Sequence, residues 1–183
     1  MSKAPARKVH RAKAKPAAKV ARKSARKSTR KSAKASLLTI GYEQSVPEAL
    51  MAELRKAKVE LLVDVRAVAA SRKPGLSKRQ LAATLDDNGI RYLHLQKLGT
   101  PAEGRSAARS GDFATLWRIY ERHLKTPQAR AEMDELVDLV KAGTRICLLC
   151  FERDADHCHR RRIAEIVRKR TGIAVTNLVP APF

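Results

Sequence analysis

The sequence predicts a three-layer α/β sandwich with a mostly parallel sheet, preceded by a disordered basic tail. Three observations lead there. From Leu37 onward, short apolar runs alternate with amphipathic segments, and such alternation implies parallel strands, right-handed crossovers and helices on both sheet faces. Residues 37–183 number 183 − 36 = 147, enough to bury roughly 68–70% of their unfolded surface without metal or disulfide staples. Charge divides the chain: residues 1–36 hold 14 Lys and Arg and no Asp or Glu, whereas the rest holds 39 − 14 = 25 basic and 18 acidic residues. The tail thus carries +14 of the net +21, and 44% hydrophobic content over 183 residues suits one domain with an appendage.

The tail has no Leu, Ile, Phe, Trp or Tyr, so it buries too little apolar surface to offset the entropy of ordering itself. Over Ala21 to Ser32 it repeats A-R-K-S, A-R-K-S, T-R-K-S, and it looks like the tails of linker histones and bacterial histone-like proteins. Arg22, Lys23, Arg26, Lys27, Arg30 and Lys31 are the expected contacts to nucleic acid, each neutralised phosphate releasing a condensed counterion. Without aromatics, the tail is not expected to stack on bases. A transit peptide is also Arg- and Ser-rich, but this tail lacks the large apolar residues of an amphipathic face.

Leu37 to Gly41 reads as the first strand, and Pro47 to Lys58 as a helix with Ala49, Leu50, Leu54 and Ala57 at helical spacing. Glu60 to Val65 is the second strand. A loop with S-R-K-P-G follows, then a helix that Ser77 can cap and that stops at Asn88-Gly89. Ile90 to Leu95 is the third strand. The run L-G-T-P-A-E-G-R-S-A-A-R-S-G reads as a long surface loop of small and turn residues. Helices then start at Asp112, with Trp117 and Tyr120 as core anchors, and at about Pro127. Arg145 to Phe151 is the fourth strand, His157 to Arg170 a helix, and Ala174 to Val179 the last strand.

Ligands in open α/β sheets bind beyond the carboxyl ends of the strands. Those ends deliver Gly41 and Tyr42, then Asp64 and Arg66 two apart and on one side, then Ser71 and Arg72 from the next loop, Gly99, and finally Cys150 and Glu152. The motifs T-I-G-Y, V-D-V-R, S-R-K-P-G, the L-G after the third strand and C-x-E-x-D-x-x-x-C-H-R resemble domain-of-unknown-function family 488 (DUF488) across essentially all of Leu37 to Phe183. The resemblance implies an α/β fold and a shared site, with no settled activity. The chain departs from the family pattern at Gly99-Thr100, where Gly-Gly is common, and at Ala155, where Pro is common. The tail lies outside that family core.

The C-terminal motif admits three chemistries. Asp156 as an N-cap would put His157, Cys158 and His159 in a first helical turn, a place that favours anions; Arg66, Arg72 and Arg160 would converge there with forks that fit phosphate, unless Arg66 and Arg160 merely pair with Asp64 and Glu152. Cys158 beside arginines at a helix start should have a lowered pKa. However, the Cys-then-Arg-six-later loop of phosphatases is missing, since Cys150 leads to Asp156 and Cys158 to Ala164. Cys150, Cys158 and His159, with Glu152 or His157, are zinc-type donors, yet a spacing of eight is not the short one of structural zinc sites, so no metal is assigned and the cofactor stays unknown. Cys147 and His94 read as structural.

The expected function is therefore a nucleic-acid-associated protein. The tail attaches to nucleic acid without sequence preference, and a cleft takes a phosphate-bearing or nucleobase-like ligand through Tyr42, Arg66, Ser71, Arg72, Cys150, His159 and Arg160. If turnover occurs, Asp64 or Glu152 would be acid/base and Cys158 the reserve nucleophile. The alternatives are a small-molecule or thiol-dependent hydrolase or transferase with a localising tail, and a zinc-stabilised binding module. No run approaches eighteen apolar residues, so neither membrane span nor membrane partner is expected. Three cysteines fit a reducing compartment, and the expected location is cytoplasmic, at the nucleoid.

Overall fold

The computed structural model describes residues 36–182, and the tail contacts expected from Arg22 to Lys31 lie outside them. The sheet is built from β1 (Ser36–Gly41), β2 (Leu61–Asp64), β3 (Arg91–His94), β4 (Ile146–Cys150) and β5 (Ala174–Leu178), ordered β3-β2-β4-β1-β5. Every pairing is parallel. The helices are α1 (Pro47–Lys56), α2 (Lys78–Asp87), α3 (Ala102–Arg109), α4 (Phe113–His123), α5 (Pro127–Lys141) and α6 (His159–Thr171), with a 3₁₀ turn at Gln96–Leu98.

Strand order decides which face each helix covers. From β1 to β2 to β3 the chain moves toward one edge of the sheet; from β3 to β4 to β5 it moves toward the other. Crossovers of one hand therefore place the two sets of helices on opposite faces. Leu50, Leu54, Leu81 and Leu85 of α1 and α2 pack with Leu38, Ile40, Leu62, Cys147 and Leu149. On the other face, Leu136, Val137 and Val140 of α5 and Ile163 and Val167 of α6 pack with Leu37, Val63, Ile146 and Leu148. The central strand β4 is buried along its whole length. Its I-C-L-L-C sequence accordingly divides between both clusters, with Cys147 on the α1/α2 side and Cys150 on the α5/α6 side.

Two local expectations are revised. The stretch after β3 is not a loop: it forms the 3₁₀ turn and then α3, with Gly104 and Ala107 as its buried face. Small residues form that face because α3 lies close to its neighbours. A Cβ on Gly104 would stand 2.8 Å from Thr100 Cγ2 and 3.4 Å from Leu116 Cδ1 of α4. A seam of small side chains lacks the large apolar stripe by which an amphipathic helix is read. The second revision concerns α6, whose N-cap is Cys158. Asp154, not Asp156, organises the approach by accepting the Asp156 N–H at 2.9 Å and meeting His157 Nδ1 at 2.8 Å. His157 therefore stays outside the helix, with its side chain 69% exposed.

Ser77 is the N-cap of α2, but its hydroxyl donates to Ser71 O at 3.2 Å instead of closing the helix start. Tyr120 is fully buried, and Trp117 packs partly buried against the same cluster. Among the described residues no helix is long and apolar enough to cross a membrane.

Candidate functional site

The carboxyl ends of β1, β2 and β4 meet at one rim, because the three strands are near neighbours in the sheet and run in the same direction. Gly41 ends β1 and has to be glycine for steric reasons. A Cβ there would lie 1.8 Å from the Glu152 carbonyl oxygen, so its absence lets the strands β1 and β4 feed two loops that touch.

Asp64 ends β2 and is fully buried, and Arg66 two residues on is 5% exposed. The guanidinium meets the carboxylate bidentately, Nε to Oδ1 at 2.8 Å and Nη2 to Oδ2 at 2.6 Å. Nη1 donates to the Tyr42 hydroxyl at 2.8 Å and to Leu76 O at 3.1 Å. Four of its five N–H donors are thus engaged within the protein. Burial alone would lower the Arg66 pKa, but Asp64 overrides it and holds the group firmly cationic. Tyr92, from β3, donates its hydroxyl to Asp64 Oδ2 at 2.6 Å, and burial pushes that phenol up. His94 receives a structural place, with Nε2 donating to Arg66 O at 2.8 Å.

In front of this pair lies a cleft of about 430 Å³ whose wall includes Tyr42, Arg66, Arg72, Cys150, Glu152 and His159. Thr100, Arg105 and Arg109 also line it. Arg105 donates to Thr100 O at 2.7 Å. Arg72 and Arg109 are exposed, and among the described residues no carboxylate forms an ion pair with either. Among the described residues Glu152 is the one carboxylate in the wall. With the Arg66 charge matched by Asp64, the cleft keeps an excess of positive charge. A larger cavity, about 720 Å³, lies between α1 and the Lys73–Gly75 turn, and among the described residues no thiol or imidazole lines it.

Behind the cleft wall, Cys150, Glu152, Cys158 and His159 bring four donor atoms within 4.8 Å of one another. The Cys150 and Cys158 sulfurs stand 2.9 and 3.0 Å from the same Glu152 oxygen, Oε2. His159 turns Nε2 to Val65 O at 2.9 Å, so that nitrogen is the donor and Nδ1 faces the sulfurs of Cys150 and Cys158 at 3.6 and 3.9 Å. The Tyr120 ring and the imidazole meet at 75°, edge to face, with centroids 5.4 Å apart.

Proton affinities in the group diverge. Burial pushes the Cys150 thiol well up. Burial acts the same way on Cys158, yet hydrogen bonding to Cys150 and the charges of His159 and Arg160 draw it well below the ordinary thiol value. Burial, together with the Cys158 sulfur, raises Glu152. His159 is lowered by burial and raised by more through Cys158, ending above the ordinary imidazole value.

Of the residues expected from sequence, Tyr42, Arg66, Arg72, Cys150, Glu152 and His159 all line the cleft. Cys158 sits behind it at 1% exposure. Asp64 is held behind Arg66, both of its oxygens engaged. Ser71 is a loop residue whose hydroxyl accepts the Lys73 N–H at 3.1 Å. Arg160 is 1% exposed and does not line the cleft. Its guanidinium donates to Thr39 Oγ1 at 3.3 Å, to Glu152 O, and to Arg153 O at 2.9 Å. It thus holds the backbone that carries Glu152, in place of an ion pair with the Glu152 carboxylate. The sequence reading missed Thr100, Arg105 and Arg109; the R-x-x-x-R spacing of the two arginines, one helical turn apart, was the available signal.

Among known families, the model described as "Domain of unknown function DUF488" matches residues 46–167. The match spans α1 into α6 and leaves β1, with its T-I-G-Y motif, and β5 outside. Neither a curated protein nor a solved structure matches the chain.

Proposed function

Since the chain belongs to the DUF488 family, whose description specifies no activity, we propose from its site that it is a nucleic-acid-associated protein whose cleft binds a small phosphate-bearing ligand. One observation carries the reading. Arg72 and Arg109 face a cleft in which the Arg66 charge is already matched by Asp64, and neither has a carboxylate partner among the described residues. A guanidinium fork fits a phosphate bidentately. The volume, about 430 Å³, lies within the range of small-ligand pockets, so a nucleotide-sized molecule fits better than a duplex. Tyr42 and Phe151, with ring centroids 5.4 Å apart, offer an aromatic wall for a base.

The tail supplies the second half. Fourteen Lys and Arg with no acidic residue among residues 1–36 give salt-sensitive, sequence-indifferent attachment to polyphosphate, and a place at the nucleoid follows. If the cleft turns over its ligand, Glu152 is the acid/base in its wall.

The two halves are tested separately. Full-length protein is titrated calorimetrically with inorganic phosphate and with nucleoside mono- and diphosphates, and Arg72→Ala/Arg109→Ala should lose at least about tenfold in affinity, the size of one charge-assisted contact. Deleting residues 1–36 should remove most duplex DNA binding and flatten its salt dependence, leaving phosphate binding unchanged. A doubly substituted protein that binds phosphate as before removes the cleft reading; a truncated protein that binds duplex as before removes the tail reading.

A further inference from the structure

We propose that Cys150, Glu152, Cys158 and His159 form a four-coordinate site for a borderline-soft divalent cation of the zinc class, tying the end of β4 to the start of α6. The site adjoins the arginine cleft: Cys150, Glu152 and His159 also line that cleft and so give the ion a way in.

Donor chemistry and geometry both point to it. Two thiols, an imidazole and a carboxylate are zinc's usual ligands, and their donor atoms lie within one 4.8 Å group. Zinc–sulfur bonds near 2.3 Å and zinc–nitrogen bonds near 2.0–2.1 Å give a tetrahedron whose sulfur–nitrogen edge is about 3.6 Å. The two such edges here measure 3.6 and 3.9 Å. Both sulfurs now crowd one carboxylate oxygen at 2.9 and 3.0 Å, and these separations lengthen toward about 3.6 Å when an ion stands between them.

The surroundings favour the same reading. A metal-bound histidine normally donates its other ring nitrogen to a carbonyl or carboxylate, as Nε2 of His159 does to Val65 O at 2.9 Å. That bond fixes Nδ1 toward the sulfurs before any ion arrives. Arg160, through Glu152 O and Arg153 O, fixes the backbone that carries the carboxylate. Two thiolates and a carboxylate around a divalent ion leave one negative charge, and the buried Arg160 guanidinium beside Cys158 offsets it.

The eight-residue gap between Cys150 and Cys158 counted against zinc in the sequence, but short Cys spacing is needed only when one turn presents both thiols. Here a strand end presents Cys150 and Glu152, and a helix start presents Cys158 and His159.

The experiment uses the full chain. Protein purified without chelator is assayed for metal by mass spectrometry, then stripped and titrated with Co²⁺. Stoichiometric zinc is expected, and cobalt should give a thiolate-to-metal charge-transfer band with the strong visible absorption of a tetrahedral ion. Cys158→Ser, which leaves Cys150 as the one thiolate of the site, should clearly weaken the band, and Glu152→Gln should weaken cobalt binding by at least about tenfold. Cys147→Ser, on the opposite sheet face, should leave it intact. Should Cys158→Ser fold poorly, the Glu152→Gln titration and competition of wild-type protein against a chromophoric chelator still decide the matter. Folded wild-type protein that takes up cobalt without a thiolate band, or takes up none, overturns the proposal. Phosphate titration is independent of this readout, so metal uptake without phosphate binding would remove the cleft reading alone.

Discussion

The Arg66 guanidinium grips the Asp64 carboxylate through two parallel contacts of 2.8 and 2.6 Å, and Asp64 is fully buried while Arg66 is 5% exposed. A pair this deeply placed matters less for its net strength than for what remains when one partner goes. Asp64→Ala leaves a guanidinium uncompensated in the interior and should cost about 3–5 kcal/mol in denaturant unfolding. Replacing both residues with apolar ones, Asp64→Leu/Arg66→Met, should cost clearly less than the single change. Equal losses for the single and double variants would mean the pair is not the source of the effect.

Gly41→Ala probes the contact between the two strand ends. The new Cβ falls 1.8 Å from Glu152 O, and backbone cannot yield as a flexible side chain can, so one of the two loops has to move. A destabilisation of about 1–3 kcal/mol is expected, read from the unfolding midpoint. Because Arg160 holds the same carbonyl, the variant should also weaken cobalt binding at the thiol cluster.

Gly104→Val acts on the cleft from a distance. Its side chain would enter the space between α3, Thr100 and Leu116, displacing the helix that carries Arg105 and Arg109. Phosphate affinity should fall although no ligand-facing residue is changed, and the duplex binding assigned to the tail should persist. Titration of both ligands on one preparation checks this.

Asp112 gives a pH signature. It is the N-cap of α4 and accepts the Thr115 N–H at 3.0 Å, which holds its carboxyl below the usual aspartate value. A carboxyl with a depressed folded-state pKa stabilises above its unfolded value, about pH 4, and loses that contribution as pH falls through the folded one. Wild type should therefore melt above Asp112→Ala at neutral pH, with the difference closing below about pH 4. A gap that stays constant into acid would assign the effect to something other than the charged cap.

The elements most readily found in sequence were those with a regular apolar period. The β4 run I-C-L-L-C and the α5 stripe of Met133, Leu136, Val137 and Val140 are buried as their spacing demands. Asp64 and Arg66, two apart at a strand end, were legible as neighbours for the same reason. The α3 segment was not legible, because its packing face is Gly104 and Ala107, and small residues carry the same letters in a close helix seam as in a turn. The start of α6 was misjudged because Asp156 carries a capping side chain on paper, whereas the folded loop turns the Asp156 N–H to Asp154 and leaves Cys158 at the N-cap position.

Sequence by itself determined the alternation of strands and helices, the sheet edge at which the polar residues gather, and the concentration of charge in residues 1–36, since periodicity and composition are local properties. Only the tertiary structure decided which arginines remain free, how Cys150 and Cys158 come to share one carboxylate oxygen, and which ring nitrogen of His159 faces them. Those outcomes depend on hydrogen-bond partners from strands far apart in the chain. Such partners are assigned only when the sheet order sets which ends are neighbours.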